Sequence, residues 1–195
     1  MKHIGILLFD GVEELDAVGP WEVLAHWTQT FPDDGYAVSL LSDDGGTVTA
    51  AKGMVLTPHF SAAATPALDV FIHPGGHGTR KLALDKEHLK WMRRLRAEVP
   101  LMGSVCTGSL VFAAAGLLRN RPATTYWDAL DRLAGFDPSI DIRGSDRWVD
   151  DGDVLTASGV SAGIDMALHL VRRLAGEERA RGVRRGIQYD PEPPV

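Results

Sequence analysis

The sequence predicts a doubly wound α/β sandwich with a mostly parallel central sheet, and three observations carry that reading. Short runs read as strands: Ile4–Phe9 is apolar on both faces, the habit of a central parallel strand, Leu68–His73 is another buried strand, and Val154–Ala157 is a short one. These runs alternate with segments of helical spacing. The first two end in turn residues, Asp10-Gly11 and Pro74-Gly75-Gly76.

Taken in order, Ile4–Phe9 is a buried strand and Asp10–Asp16 the loop after it. Ala17–Trp27 is a helix whose Val18, Trp21, Val23, Leu24 and Trp27 share a face, with Pro20 tolerated near its start. Tyr36–Leu41 is a second strand. Thr47–Ala50 and Met54–Leu56 form a hairpin about Ala51-Lys52-Gly53. After the Leu68–His73 strand, Glu87–Glu98 is helical, and the apolar run from Pro100 leads into Cys106 and an Ala-rich helix. Tyr126–Ala134 is helical; Ile140–Ile142, Arg147–Val149 and Val154–Ala157 are short strands. Ser161–Leu174 is a long apolar helix, and the proline-rich tail Tyr189–Val195 is not helical.

With 195 residues, no internal repeat and no linker, the chain is expected to form one domain over 1–195. Its 45% hydrophobic and 24% charged residues are ordinary for a globular protein. One cysteine cannot close an internal disulfide, which points to a reducing, cytoplasmic compartment. The amino terminus is too short for a signal-peptide core, and no apolar run reaches membrane-spanning length. A net charge of −6 argues against nucleic acid as a partner. The basic cluster Arg172, Arg173, Arg179, Arg181, Arg184 and Arg185 is interleaved with Glu177 and Glu178, which suits a solvated helix face.

In doubly wound sheets ligands bind beyond the carboxyl ends of strands. Three loops should meet there: Asp10–Asp16, Pro74–Thr79 and the Cys106 turn. Ser104 and Gly108 flank Cys106 two positions to either side. Small residues so placed mark a sharp strand-to-helix turn that lifts a nucleophile above the sheet. The following helix N-terminus is expected to favour the thiolate. The amides of Gly76 and Thr107 are candidates for an anion hole beside the sulfur. Asp16 is the candidate proton donor, with Glu13 and Glu14 as rivals; an N-cap is its structural alternative. No histidine makes a convincing Cys-His pair: His73 ends a strand, His169 lies in an apolar run, and His77 sits in the glycine loop. No spacing suggests a metal site. The five tryptophans are scattered as core residues, with Trp127 the one placed to wall a pocket.

The segments Phe9–Pro20, Pro74-Gly75-Gly76, Val105-Cys106-Thr107-Gly108, Ala123–Trp127 and Thr156–Asp165 jointly resemble the ThiJ/PfpI family. That family belongs to the class I glutamine amidotransferase-like, flavodoxin-like superfamily. Leu15–Pro20 and the ending Tyr189–Pro194 are most similar to its isonitrile (cyclohexyl-isocyanide) hydratase branch, lyases that add water to an isonitrile to give an N-substituted formamide. The resemblance implies Cys106 as nucleophile, Asp16 as acid and base, Thr107 in support, and no cofactor. It also implies a homodimer; the candidate contacts for a small-molecule substrate are Gly75, Gly76, His77, Tyr126 and Trp127. Tyr126 stands where many relatives carry a histidine. A phenol, ionising only near about pH 10, is a poor base, so a Cys-His hydrolase mechanism loses its base. The alternatives are glyoxalase or deglycase chemistry on 2-oxoaldehydes, a ligand-sensing module like the sensor half of AraC-type regulators, and a redox sensor using a low-pKa thiol. The chain ends at Val195 without a helix-turn-helix segment, which counts against DNA binding.

Overall fold

The computed structural model describes residues 1–190. In chain order the elements are β1 (Lys2–Leu7), α1 (Glu14–Thr30), β2 (Tyr36–Ser42), β3 (Val48–Thr49), β4 (Val55–Leu56), β5 (Phe60–Ser61) and β6 (Val70–His73). There follow α2 (Thr79–Leu82), α3 (Lys86–Glu98), β7 (Leu101–Val105), α4 (Gly108–Ala114), β8 (Pro122–Ala123) and α5 (Leu130–Phe136). The last are β9 (Asp141–Ile142), β10 (Trp148–Asp150), β11 (Val154–Ala157), α6 (Ala162–Ala175) and α7 (Glu177–Gly186). The fold is the expected α/β sandwich: one sheet of order β10-β11-β7-β6-β1-β2-β5, parallel except where β10 runs against β11.

Period-two alternation sorts the strand side chains into two cores. Ile4 and Ile6 of β1, Val70 and Ile72 of β6, and Leu101 and Val105 of β7 pack against Val23, Leu24 and Trp27 of α1, Met166 and Leu170 of α6, and Val183 of α7. Leu7, Phe71 and Met102 point the other way, onto Met92 of α3, Leu110 and Phe112 of α4, and Leu133 of α5. A sheet buried on both faces explains why its strands read as continuous apolar runs.

The structure corrects several boundaries. Helix α1 begins at Glu14, so Asp16 lies in its first turn, neither in the loop nor at an N-cap. Long-range pairing sets this start: Val12 bridges Gly76, and the Glu13 amide donates to the Gly75 carbonyl at 3.0 Å. Pro20 therefore lies inside α1, where it has no amide to give the Asp16 carbonyl. The segment from Tyr126 divides into a 3₁₀ turn, Trp127–Ala129, and α5. The two-residue strands β5 and β8 and the one-turn helix α2 have no periodicity to betray them. The arginine-rich segment supplies α7 and the end of α6. Of the tail, Tyr189 and Asp190 are in neither helix nor strand, and 191–195 lie outside the described residues.

Gly108, the first residue of α4, lies against the end of β6. A Cβ there would overlap the His73 carbonyl oxygen and stand 2.9 Å from that of Pro74. In an open helix Gly→Ala gains roughly 0.5–1 kcal/mol, whereas forced overpacking costs about 1–3 kcal/mol, and here the obstacle is backbone that cannot swing aside. Gly108→Ala is expected to lower stability by about 2 kcal/mol in urea unfolding; an unchanged or raised midpoint would show that α4 can slide.

Candidate active site

Strand order reverses about β1 and β6, and the loops leaving the carboxyl ends of β1, β6 and β7 meet there, with that of β11 alongside. The first two are stapled together by the Val12–Gly76 bridge and by the Gly78 amide on the Gly11 carbonyl at 3.1 Å.

Cys106 follows β7 directly with φ 55°, a left-handed conformation that a side-chain-bearing residue adopts at a cost of order 1–3 kcal/mol. Its surroundings hold it there. The Cys106 amide donates to the Ala157 and Ser158 carbonyls at 3.1 and 2.9 Å. Its carbonyl accepts the Thr125 hydroxyl at 2.9 Å and the Ser109 hydroxyl at 3.1 Å. This is the strained elbow that the flanking small residues forecast.

Asp16 reaches the same point from α1 and is fully buried. Its Oδ2 accepts the Gly75 amide at 2.9 Å. Its Oδ1 has no partner in hydrogen-bond geometry among the described residues, although the Cys106 thiol interacts with the carboxyl. Burial raises the Asp16 pKa to about 7, and the negative charge of Glu13 adds to it; the Gly75 amide and the Cys106 thiol pull the other way without prevailing. Burial, then the Asp16 charge, pushes the thiol up to about 12, against the amides of Thr107 and Val160 that favour the sulfur anion. The expectation of a helix-stabilised thiolate is thus overturned. Two acids in mutual contact hold one proton between them over a wide pH range. A thiol 6% exposed and held protonated also lacks the property on which the redox-sensor alternative stood.

The anion hole differs from expectation too. The Gly76 amide is spent on the Thr107 hydroxyl at 2.9 Å, so it is not free for a ligand. That hydroxyl also meets Thr79 Oγ1 at 3.0 Å, and Thr79 donates to the Gly76 carbonyl at 2.7 Å. Thr107 therefore locks the glycine loop onto the cysteine turn. Gly75 completes the lock: a Cβ there would lie 2.5 Å from the Thr107 nitrogen and 2.7 Å from Asp16 Oδ2. The amides facing the sulfur are those of Thr107 and Val160. Val160 carries φ 45°, unusual for a β-branched residue, and the sequence offers no signal for it.

Above the sulfur opens a cavity of about 480 Å³. Of the residues singled out in the sequence, Cys106, Thr107, Gly76, His77 and Tyr126 line it, whereas Gly75 lies behind the wall and Trp127 stands 68% exposed outside it, its ring 5.4 Å from that of Tyr126. Glu13, one of the rival acids, also lines it, and Thr79, Ala129, Val160 and the charged residues Lys52, Arg80, Asp128 and Arg132, which escaped the sequence reading, complete the lining. Of the rival acids, Glu13 and Glu14 both pair with Lys52. His73 is buried beneath the loop. Burial holds it neutral, its pKa lowered to about 3, and its Nδ1 donates to the Pro74 carbonyl at 2.7 Å. His169 pairs with Asp150 outside this cavity. Among the described residues no group of three or more His, Cys, Asp or Glu side chains is arranged to hold a metal. No helix among them is long and apolar enough to cross a membrane.

The DJ-1/PfpI family model matches residues 2–173. Isonitrile hydratase of Pseudomonas putida is 41% identical over 193 residues, 98% of this chain and 80% of that protein. The HTH-type transcriptional regulator GbdR of Pseudomonas aeruginosa is 30% identical over 190 residues, 97% of this chain, which spans 51% of the regulator's length. A crystal structure of a ThiJ/PfpI family protein from Pseudomonas syringae superposes with a TM-score of 0.89 at 33% identity, covering 100% of this chain and 77% of that one.

Proposed function

The chain belongs to the DJ-1/PfpI family, and from that premise we propose that it is an isonitrile hydratase using Cys106 and Asp16. The observation that supports this most is a thiol lining a cavity sized for a small molecule, with the fully buried Asp16 carboxyl in contact with it from behind. Hydrating R–NC needs a nucleophile for the terminal carbon and a proton for that same carbon. A carboxyl beside a thiol, sharing one proton, supplies both. A Cys-His hydrolase would need an imidazole on the sulfur; the one buried histidine among the described residues, His73, is committed to Pro74, and no hydrogen bond among them joins His77 to Cys106.

The steps balance as follows. As the sulfur bonds the terminal carbon, the thiol proton passes to the Asp16 carboxylate. Asp16 returns it to that carbon, leaving the thioimidate R–N=CH–S–Cys106. Water adds to the carbon while Asp16 takes one of its protons and delivers it to nitrogen. The C–S bond then breaks, R–NH–CHO departs, and the hydroxyl proton reaches the sulfur through Asp16. The amides of Thr107 and Val160 stabilise the sulfur anion as it leaves.

The test is formamide production from cyclohexyl isocyanide, followed across pH. Below about 7 both groups are protonated and the carboxyl cannot accept the thiol proton. The apparent kcat/KM should therefore rise as pH climbs through about 7, falling about tenfold per unit well below it, and level off above. A profile that is flat or falling through neutrality would contradict the mechanism. Lactate from methylglyoxal with no formamide from any isonitrile would replace the activity.

A further inference from the structure

We propose that Arg80 and Arg132 make this pocket select substrates carrying a carboxylate; resting on the hydratase reading, the substrate is then an isonitrile with a carboxylate on its substituent. Three cationic side chains line the cavity: Lys52, Arg80 and Arg132. They are not equivalent. The Lys52 ammonium is held by Glu13 and Glu14, so its charge is already matched. Among the described residues Arg80, on α2, and Arg132, on α5, make no ion pair, ring contact or side-chain hydrogen bond. Two unmatched guanidiniums thus reach one small cavity from two elements, in a chain whose net charge is −6.

The chemistry of the reading gives them a task. An isonitrile group is linear, so with its carbon at the Cys106 sulfur the substituent is directed away from the floor, toward the cavity mouth. Guanidiniums bind carboxylates in a planar, bidentate fashion that neutral groups cannot match. The opposing charges in the lining are Glu13, already paired with Lys52, and Asp128. Asp128 stands four residues before Arg132 in the same lining, makes no ion pair among the described residues, and would compete with a bound carboxylate for that guanidinium. Exposed pairs are weak, so each arginine is expected to change selectivity about two- to fivefold, and the two together about tenfold.

The test compares probes of equal skeleton and different charge. Because the chain has one cysteine, alkylation reads this site alone. In it the sulfur displaces iodide and the thiol proton goes to water. Iodoacetate and iodoacetamide rates, each divided by the rate on N-acetylcysteine, give a charge preference independent of turnover. Isocyanoacetate and its methyl ester give the same preference as a ratio of kcat/KM. Both ratios should fall about tenfold in Arg80→Gln/Arg132→Gln and rise in Asp128→Asn. In the unaltered protein they should shrink between about 0.02 and 0.5 M salt. Ratios within about twofold of one another across these variants, and indifferent to salt, would overturn the proposal. Charge-dependent alkylation with neither isonitrile hydrated would instead remove the hydratase reading and leave anion selection standing for another electrophile. Hydration with flat ratios would do the reverse.

Discussion

Cys106→Ala is expected to lose isonitrile hydration by a factor of about 10³ or more while the fold persists. The loss is large because nothing else in the cavity can replace the sulfur. The neighbouring hydroxyl of Thr107 is engaged with the Gly76 amide and with Thr79, and a hydroxyl is a far poorer source of anion than a thiol. Cys106→Ser should fail for the second reason even though its oxygen keeps nearly the same position. The structural cost is small by comparison. Removing one sulfur from a site 6% exposed leaves a gap that opens toward the cavity, worth about 1 kcal/mol. The measurement is formamide yield at high enzyme concentration beside urea unfolding. A Cys106→Ala protein that keeps about a tenth of the activity would remove the covalent route.

Asp16→Asn should separate activity from stability in opposite directions. Catalysis falls about 10²- to 10⁴-fold, since the amide can neither accept the thiol proton nor return it. Stability rises at neutral and alkaline pH. The folded-state pKa of Asp16, about 7, lies above the 3.8 of a free carboxyl, so the folded chain holds a proton that the unfolded chain releases. Folding stability therefore declines as pH rises from roughly 4 to 7, and the penalty is complete above that window. Asparagine has no proton to lose and can keep the Gly75 amide bond. The variant should gain as much as about 4 kcal/mol at about pH 8, and nothing below about pH 4. Urea unfolding of both proteins at the two pH values checks this. A variant less stable than its parent at alkaline pH would mean that Asp16 serves the fold as an ion.

The sheet is legible in the sequence because burial on both faces writes itself into composition: Ile4–Phe9 has no polar alternation to confuse it. The Cys106 elbow is legible because only small residues tolerate its close contacts, as Gly108 against His73 illustrates. Whatever depends on pairing between distant segments is not legible. The start of α1 is set by Val12 meeting Gly76, so the sequence leaves Asp16 in a loop. The amide of Val160 reaches the sulfur through a strained backbone with no residue-level signature. The acidity of the thiol is misjudged for a related reason. Proximity to a helix N-terminus is a local property, whereas the burial and the Asp16 charge that outweigh it come from the whole fold. Arg80 and Arg132 lie on a one-turn helix and a short one, and only their convergence on one cavity distinguishes them from other exposed arginines.

The most direct test of a shared proton is the titration of the thiol itself, followed by its absorbance in the far ultraviolet, in the parent protein and in Asp16→Asn. In the parent the sulfur should stay protonated to about 12. In the variant the opposing charge is gone, and the midpoint should fall by about one unit or more. A thiol that titrates at the same pH in both proteins, or as a thiolate near neutrality in the parent, would contradict a coupled Cys106–Asp16 pair and the hydration route built on it.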